Sequence, residues 1–282
     1  MLANSLLDLF HYDFLRRALI AAVLVGITAP AVGVFLVQRR LALIGDGLGH
    51  VAVTGVALGL LLNRAPVLIA VVVAVAGAVA IELVRARSDT SGEIALAVLF
   101  YGGIAGGVVL VSKAPSNSRN LTQYLFGAIT TTSNGDLVAF GVLAAVVIAV
   151  VLLLGPALFS VSNDEEFARA LGVPVMAINV LLATLTALAV VVSMRVVGVL
   201  LVSALMVVPI ATAQLFARSF RTTLAWGIVL AVVSAVGGIG VSYRADLPSG
   251  GTIVLVAIGC FTLALLATSA ASALRSGRAR RG

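Results

Sequence analysis

Within the apolar run LIGDGLGHVAVTG, residues 43–55, an aspartate and a histidine stand four positions apart. On an α-helix that spacing puts both side chains on one face, a turn above each other. Thr54 extends the polar stripe by one more turn. Asp46 offers a carboxylate oxygen and His50 an imidazole nitrogen, a mixed pair that a single divalent cation can bridge. The other use of such a pair is an Asp–His hydrogen bond that only fixes helix packing. An ionised carboxylate in hydrocarbon costs roughly a few kcal/mol or more unless it meets a cavity, a partner or an ion, so intramembrane ionisable groups are read as functional by default. Two ligands from one helix do not complete a tetrahedral site. A second copy of the chain across a symmetry axis would bring another Asp and another His.

The element that must position this stripe is a membrane helix. Of the 282 residues, 61% are hydrophobic and only 10% charged, with mean hydropathy +1.20. Soluble domains average about half apolar and a quarter charged, so the composition is that of a polytopic membrane protein. Apolar stretches long enough for ~30 Å of hydrocarbon run at 17–37, 41–62, 66–84, 92–112, 136–160, 174–194, 196–217, 222–243 and 250–270. The expectation is an all-α bundle of eight or nine transmembrane helices, a single domain over 1–282, with the joint at Met194-Arg195 the shortest. LTQYLFGAIT, between the fourth and fifth spans, is too short to cross and reads as a surface or re-entrant helix. The helix of the stripe also carries Gly45, Gly49, Gly55 and Gly59, two small-xxx-small pairs on an adjacent face that would let another helix approach closely.

The formal charge of +7 does not read as a nucleic-acid surface, because the basic residues fall in short clusters between spans, as in cytoplasmic loops. Nine crossings with the C-terminal tail inside place 11 basic residues in the cytoplasm, at Arg39, Arg40, Arg85, Arg87, Arg169, Arg218, Arg221 and four tail arginines. The other side then holds 7: Arg16, Arg17, Arg64, Lys113, Arg119, Arg195 and Arg244. Cys260 is the one cysteine, which excludes a disulfide framework or a thiolate metal site and leaves a small core hydrophobe. Glu82 is expected to be solvated or paired with Arg85 and Arg87. Asp136, Arg195, Arg244 and Asp246 read as ordinary outer loop charges, with help in docking an outside partner as their other use. His11 has no partner in view.

The most polar stretch is SNDEEFARALGVPV, after the fifth span. Asn163 as N-cap with Glu166 three residues on makes a capping box, Asp164 and Glu165 suit the positive helix end, and Gly172 followed by Pro174 supplies a stop. A short helix outside the membrane follows, at about 163–172, with Phe167, Ala168 and Leu171 as a small apolar face. It is either a plain capped connector or a knob that docks into a cleft on a cytoplasmic partner.

LIGDGLGHVAVTGVALG resembles the second-span signature of the metal-transport permeases of ABC importers, the zinc/manganese/iron-type family. In the same order along nearly the whole chain follow SGEIALAVLFYGG, LTQYLFGAITTTSNGDL, DEEFARALGVPV, VVGVLLVSALMVVPIATA and DLPSGGTIVL. The resemblance implies a multi-pass subunit of a bacterial cytoplasmic (inner) membrane, paired with a second permease chain, most simply as a homodimer. Two cytoplasmic ATP-binding subunits would drive it and an extracytoplasmic binding protein would deliver the metal, zinc first, manganese next and iron third. It implies metal contacts at Asp46 and His50, with Thr54 as a further candidate. It also implies a coupling helix in the ATPase cleft formed by Asp164, Glu165, Glu166, Phe167, Ala168, Arg169, Leu171 and Gly172. No permanently bound cofactor and no enzymatic activity of its own are expected. Where the family often has Ala and Ser, this chain has Gly47 and Gly49, a more pliable helix without a hydroxyl near the metal.

The sequence contains no G-x-x-x-x-G-K-[ST], so ATP has no P-loop here and would bind a separate polypeptide. A stand-alone proton-coupled metal carrier, with Asp46 and His50 as a proton relay, is the alternative. An intramembrane hydrolase built on Ser249 in LPSGG has no evident nucleophile–base pairing with His50.

Overall fold

The computed structural model describes residues 13–87, 92–113, 123–127 and 133–279. His11, Arg119, Arg280 and Arg281 lie outside these residues, as do 121–122 and 128–130 of the segment LTQYLFGAIT. The helices are α1 (Asp13–Gln38), α2 (Ile44–Leu61), α3 (Pro66–Arg87), α4 (Gly92–Lys113), α5 (Asn134–Asn163), α6 (Glu165–Ala170), α7 (Val175–Ser193), α8 (Val199–Gln214), α9 (Phe220–Ala245) and α10 (Ser249–Ala279). One further helical turn, 123–126, lies between α4 and α5. Among the described residues there is no strand.

Eight helices, all but α6 and α8, are long and apolar enough to cross a membrane. The 16 residues of α8 rise about 24 Å at 1.5 Å each, short of the ~30 Å hydrocarbon core. The chain enters α8 through the turn 194–198, in which Met194, Val196 and Val197 are fully buried. Non-helical backbone at such a place must have its polar groups satisfied by protein. Accordingly Gly198 N–H donates to the Met194 carbonyl at 2.9 Å, and the Ser249 hydroxyl donates to the Val196 carbonyl at 3.1 Å. Gly198 has φ +87°, and a Cβ there would lie 2.4 Å from the Leu125 carbonyl oxygen. Only glycine lets the turn 123–126 tuck against this loop. Ser249 thus has a structural task, and it is buried.

The bundle is centred on α1. Of its apolar window 72% is buried, against 17% for α4 and α10, which form the periphery. Hydrophobicity cannot sort these helices, since lipid is as apolar as any side chain; close packing of small residues does. Ala18, Ala21, Ala22 and Ala29 of α1 are fully enclosed by α5, α7, α8 and α9. The stripe-bearing α2 is clasped by α3 and α4 on one side and by α7 and α8 on the other. Cys260 sits half-buried on peripheral α10 rather than in the core.

Candidate functional site

Asp46 lies in the first turn of α2 and His50 one turn on. The Asp46 carboxylate accepts a hydrogen bond from the Ser203 hydroxyl of α8. Among the described residues no hydrogen bond or ion pair joins Asp46 to His50. The half-buried His50 ring instead meets Phe100 of α4 edge-on, with centroids 4.6 Å apart and planes at 77°. Thr54 donates across to the Gly103 carbonyl of α4 at 2.7 Å. The stripe is therefore held from both sides, its top by α8 and its bottom by α4. Among the described residues no group of three or more His, Cys, Asp or Glu could hold a metal ion. One carboxylate, one imidazole and two hydroxyls, those of Ser203 and Thr54, are the donors this chain brings together.

Glycine sets how near the walls come. A Cβ on Gly45 would sit 3.2 Å from Ser203 Cβ, and one on Gly49 3.1 Å from the Val199 carbonyl oxygen. Gly55 and Gly59 face α3 instead, where a Cβ would fall 2.6 Å from the Cα atoms of Ala70 and Pro66. The two glycine pairs thus receive two different helices, α8 and α3, whereas the sequence reading assigns them one adjacent face. Gly103 does the same from α4: its Cβ would lie 2.8 Å from the His50 carbonyl carbon.

Beside the link from α1 to α2, where Arg39 meets Glu165, α6 departs from the sequence reading in its cap. Helix α5 runs through Asn163, and the break falls at Asp164, whose backbone is extended at φ −153°, ψ 104°. Asp164 is therefore the N-cap, its carboxylate accepting from Phe167 N–H at 2.9 Å, and the Asn163–Glu166 box does not form. Asn163 instead accepts from Gln38 Nε2 at 3.3 Å. The helix ends where Gly172, at φ +80°, closes onto the Arg169 carbonyl, and Val173 N–H closes onto that of Ala168. Ala168 is fully buried, while Phe167 and Leu171 are 59% and 63% exposed. The three do not form one face: Ala168 faces the bundle, and the two larger side chains point away from it.

Glu165 of α6 forms an ion pair with Arg39, from the link between α1 and α2, and accepts from Asn179 Nδ2 of α7 at 3.3 Å. Burial holds the Arg39 guanidinium below its ordinary pKa, with Glu165 opposing that shift. Glu82 is not solvated: it is 3% exposed and takes Arg85 at 2.7 Å. Glu82, Arg85, Glu165, Arg169 and Asn179 line a cavity of about 190 Å³ between α6, α3 and α7.

On the opposite side, Asp136 and Arg195 pair with each other at 2.7 Å. Asp136 also completes a capping box with Ser133 at the start of α5. These two charges, read in sequence as loop charges, tie α5 to the turn before α8. The sequence reading assigns no role to Ser203, Phe100, Arg39 or Asn179, although Ser203 and Phe100 lie within the stretches VVGVLLVSALMVVPIATA and SGEIALAVLFYGG. Ser203 is one serine in an apolar run, and Arg39 reads only as a charge at a span end.

The family model described as the ABC 3 transport family matches residues 11–268. The chain is 35% identical over 258 residues to the manganese transport system membrane protein MntC of Halalkalibacterium halodurans, covering 91% of this chain and 88% of that protein. It is 30% identical over 254 residues to the high-affinity zinc uptake system membrane protein ZnuB of Haemophilus influenzae, covering 90% and 97%. Among solved structures, PsaBC from Streptococcus pneumoniae in complex with Fab superposes with a TM-score of 0.83 at 30% identity, over 94% of this chain and 95% of that one. With its eight long apolar helices, the chain is a multi-pass membrane protein and belongs to the ABC 3 transport family of permeases.

Proposed function

We propose that this chain is the membrane permease subunit of an ATP-binding-cassette importer that moves a divalent metal ion, manganese or zinc, into a bacterial cytoplasm. The observation that carries the reading is the under-committed donor set on α2. Asp46 and His50 sit one turn apart on a helix walled by glycine contacts, and a hydroxyl from α8 reaches the carboxylate. The sequence favours zinc because of the imidazole. The carboxylate with its adjoining hydroxyl suits manganese equally, and coordination geometry rather than donor type decides between them. The names of the relatives include both metals.

In this reading Asp46 and His50 bind the dication as it passes, and Ser203 holds the carboxylate in its rotamer. A second copy of the chain supplies the remaining ligands. Phe167 and Leu171 enter a cleft on a cytoplasmic ATP-binding subunit, and closure of two such subunits exposes the site first outward, then inward. An extracytoplasmic binding protein delivers the ion on the side of Asp136 and Arg195.

The test is metal accumulation in metal-starved cells carrying the chain, compared with His50→Ala and Asp46→Asn at matched protein abundance. Accumulation of one metal should fall at least about tenfold, to the level of cells without the chain, which also names the cargo. Unchanged accumulation of manganese, zinc and iron in both variants would sink the assignment. Uptake that persists without any ATP-hydrolysing partner would favour the proton-coupled carrier.

A further inference from the structure

The link between α1 and α2 is five residues long, 39–43, and it is stiff. Leu41 N–H closes onto the Leu36 carbonyl at 2.8 Å and Ile44 N–H onto that of Leu41 at 3.0 Å. Arg40 takes the left-handed conformation, φ 58°, that ends α1. Gly47 N–H reaches back to the Leu43 carbonyl at 3.1 Å, so the link and the first turn of α2 form one hydrogen-bonded piece. Asp46 is part of that piece.

Arg39, the first residue of the link, has its side chain only 5% exposed, and its guanidinium meets the Glu165 carboxylate of α6. A desolvated guanidinium follows its counter-charge, because separation leaves a buried charge uncompensated. Helix α6 is otherwise held lightly: Ala168 is its one fully buried residue, Asn179 gives one hydrogen bond, and a cavity lined by α6, α3 and α7 lies beside it.

We propose that the Arg39–Glu165 pair is the positioning contact through which displacement of α6 reaches the start of α2, and so the Asp46–His50 site. Arg39 touches no metal in this scheme; it acts through the rigid link. The proposal rests on the reading that α6 is the element gripped by the ATP-binding subunit.

The experiment uses the permease purified with its co-purifying ATP-hydrolysing subunits, placed in lipid vesicles. Metal taken in is counted against ATP hydrolysed, with manganese and zinc as probes. Glu165→Gln keeps the shape and an acceptor for Asn179 while removing the charge. In the complexes that stay assembled and hydrolyse ATP it should lower metal per ATP at least about fivefold. Arg39→Gln should do the same, and the charge swap Arg39→Glu with Glu165→Arg should recover at least half of the lost ratio. Should Glu165→Gln fail to accumulate, Glu165→Asp, which keeps the charge but shortens its reach, must lower the ratio about twofold. An unchanged ratio in the assembled single variants overturns the proposal, as does a swap that restores nothing. Variants that merely shed the ATP-hydrolysing subunit, with an unchanged ratio in what stays assembled, show a docking contact and overturn it too. A wild-type chain that binds no ATP-hydrolysing subunit would instead overturn the importer reading, and this proposal with it.

Discussion

The two polar regions of this molecule treat their charges in opposite ways. On α2 the ionisable groups are only partly engaged: Asp46 has one hydroxyl and His50 an aromatic edge. Around α6 the buried or half-buried charges are matched, Arg39 with Glu165 and Glu82 with Arg85, and the exposed Asp164 carboxylate is engaged by a backbone N–H. Close backbone packing surrounds the first region, while a cavity borders the second. A site that must take up and release an ion cannot satisfy its donors internally, since the internal partner would compete with the ion. A contact that must carry displacement needs the reverse, paired groups that stay together while room is left to move. The difference between the regions therefore matches the two tasks proposed for them.

The comparison breaks most forcefully at Gly103. A side chain there would overlap the α2 backbone at His50 and Val51, and helix backbones cannot yield as a flexible side chain can. Gly103→Val should cost about 3 kcal/mol, the upper part of the range for overpacked cores. The loss would be read as a lowered melting temperature and reduced yield of the purified chain. A well-folded Gly103→Val that transports normally would mean α4 does not need to lie against the stripe.

Ser203→Ala is the sharper probe, with a smaller effect. It removes the hydroxyl from Asp46 without adding volume, so fold and yield should be nearly unchanged. Loss of a group that orients a metal-binding carboxylate typically costs ten- to a hundredfold in affinity or activity. The half-saturating metal concentration for uptake should accordingly rise about tenfold. A change in yield instead of in metal dependence would make Ser203 a packing residue.

Ser203 also marks where sequence reading ends. The stripe of Asp46, His50 and Thr54 was legible because a period of four residues is a property of one helix. The spans were legible because hydropathy is local, and most ends shifted by a few residues; Asp13–Gln38, for instance, replaces 17–37. Which residue on α8 faces Asp46 depends on the register of two helices 157 positions apart in that hydrogen bond, and no local pattern encodes it. Arg39 was hidden for the same reason, its partner lying 126 residues on. The cap of α6 failed differently. Asn163 and Asp164 are both good caps, and the choice fell to Asp164 because α5 stays helical through Asn163.

The smallest effect belongs to Gly172, at the end of α6. Its φ is +80°, and nothing lies within 4 Å of the place a Cβ would take, so a substitution there meets backbone strain and no clash. Gly172→Ala should destabilise the isolated chain by about 1 kcal/mol, the scale of the left-handed penalty for a non-glycine residue. Asparagine tolerates that conformation better, so Gly172→Asn should recover much of the loss. The pair separates two uses of one glycine. If glycine serves only the turn, assembly with the ATP-binding subunit should recover in Gly172→Asn as stability does. If the partner's surface lies against this turn, Gly172→Asn should be stable and yet bind the subunit several-fold more weakly, because its side chain occupies the space the partner needs. Measuring melting and subunit retention on the same two variants decides whether α6 ends in a turn alone or in a docking surface.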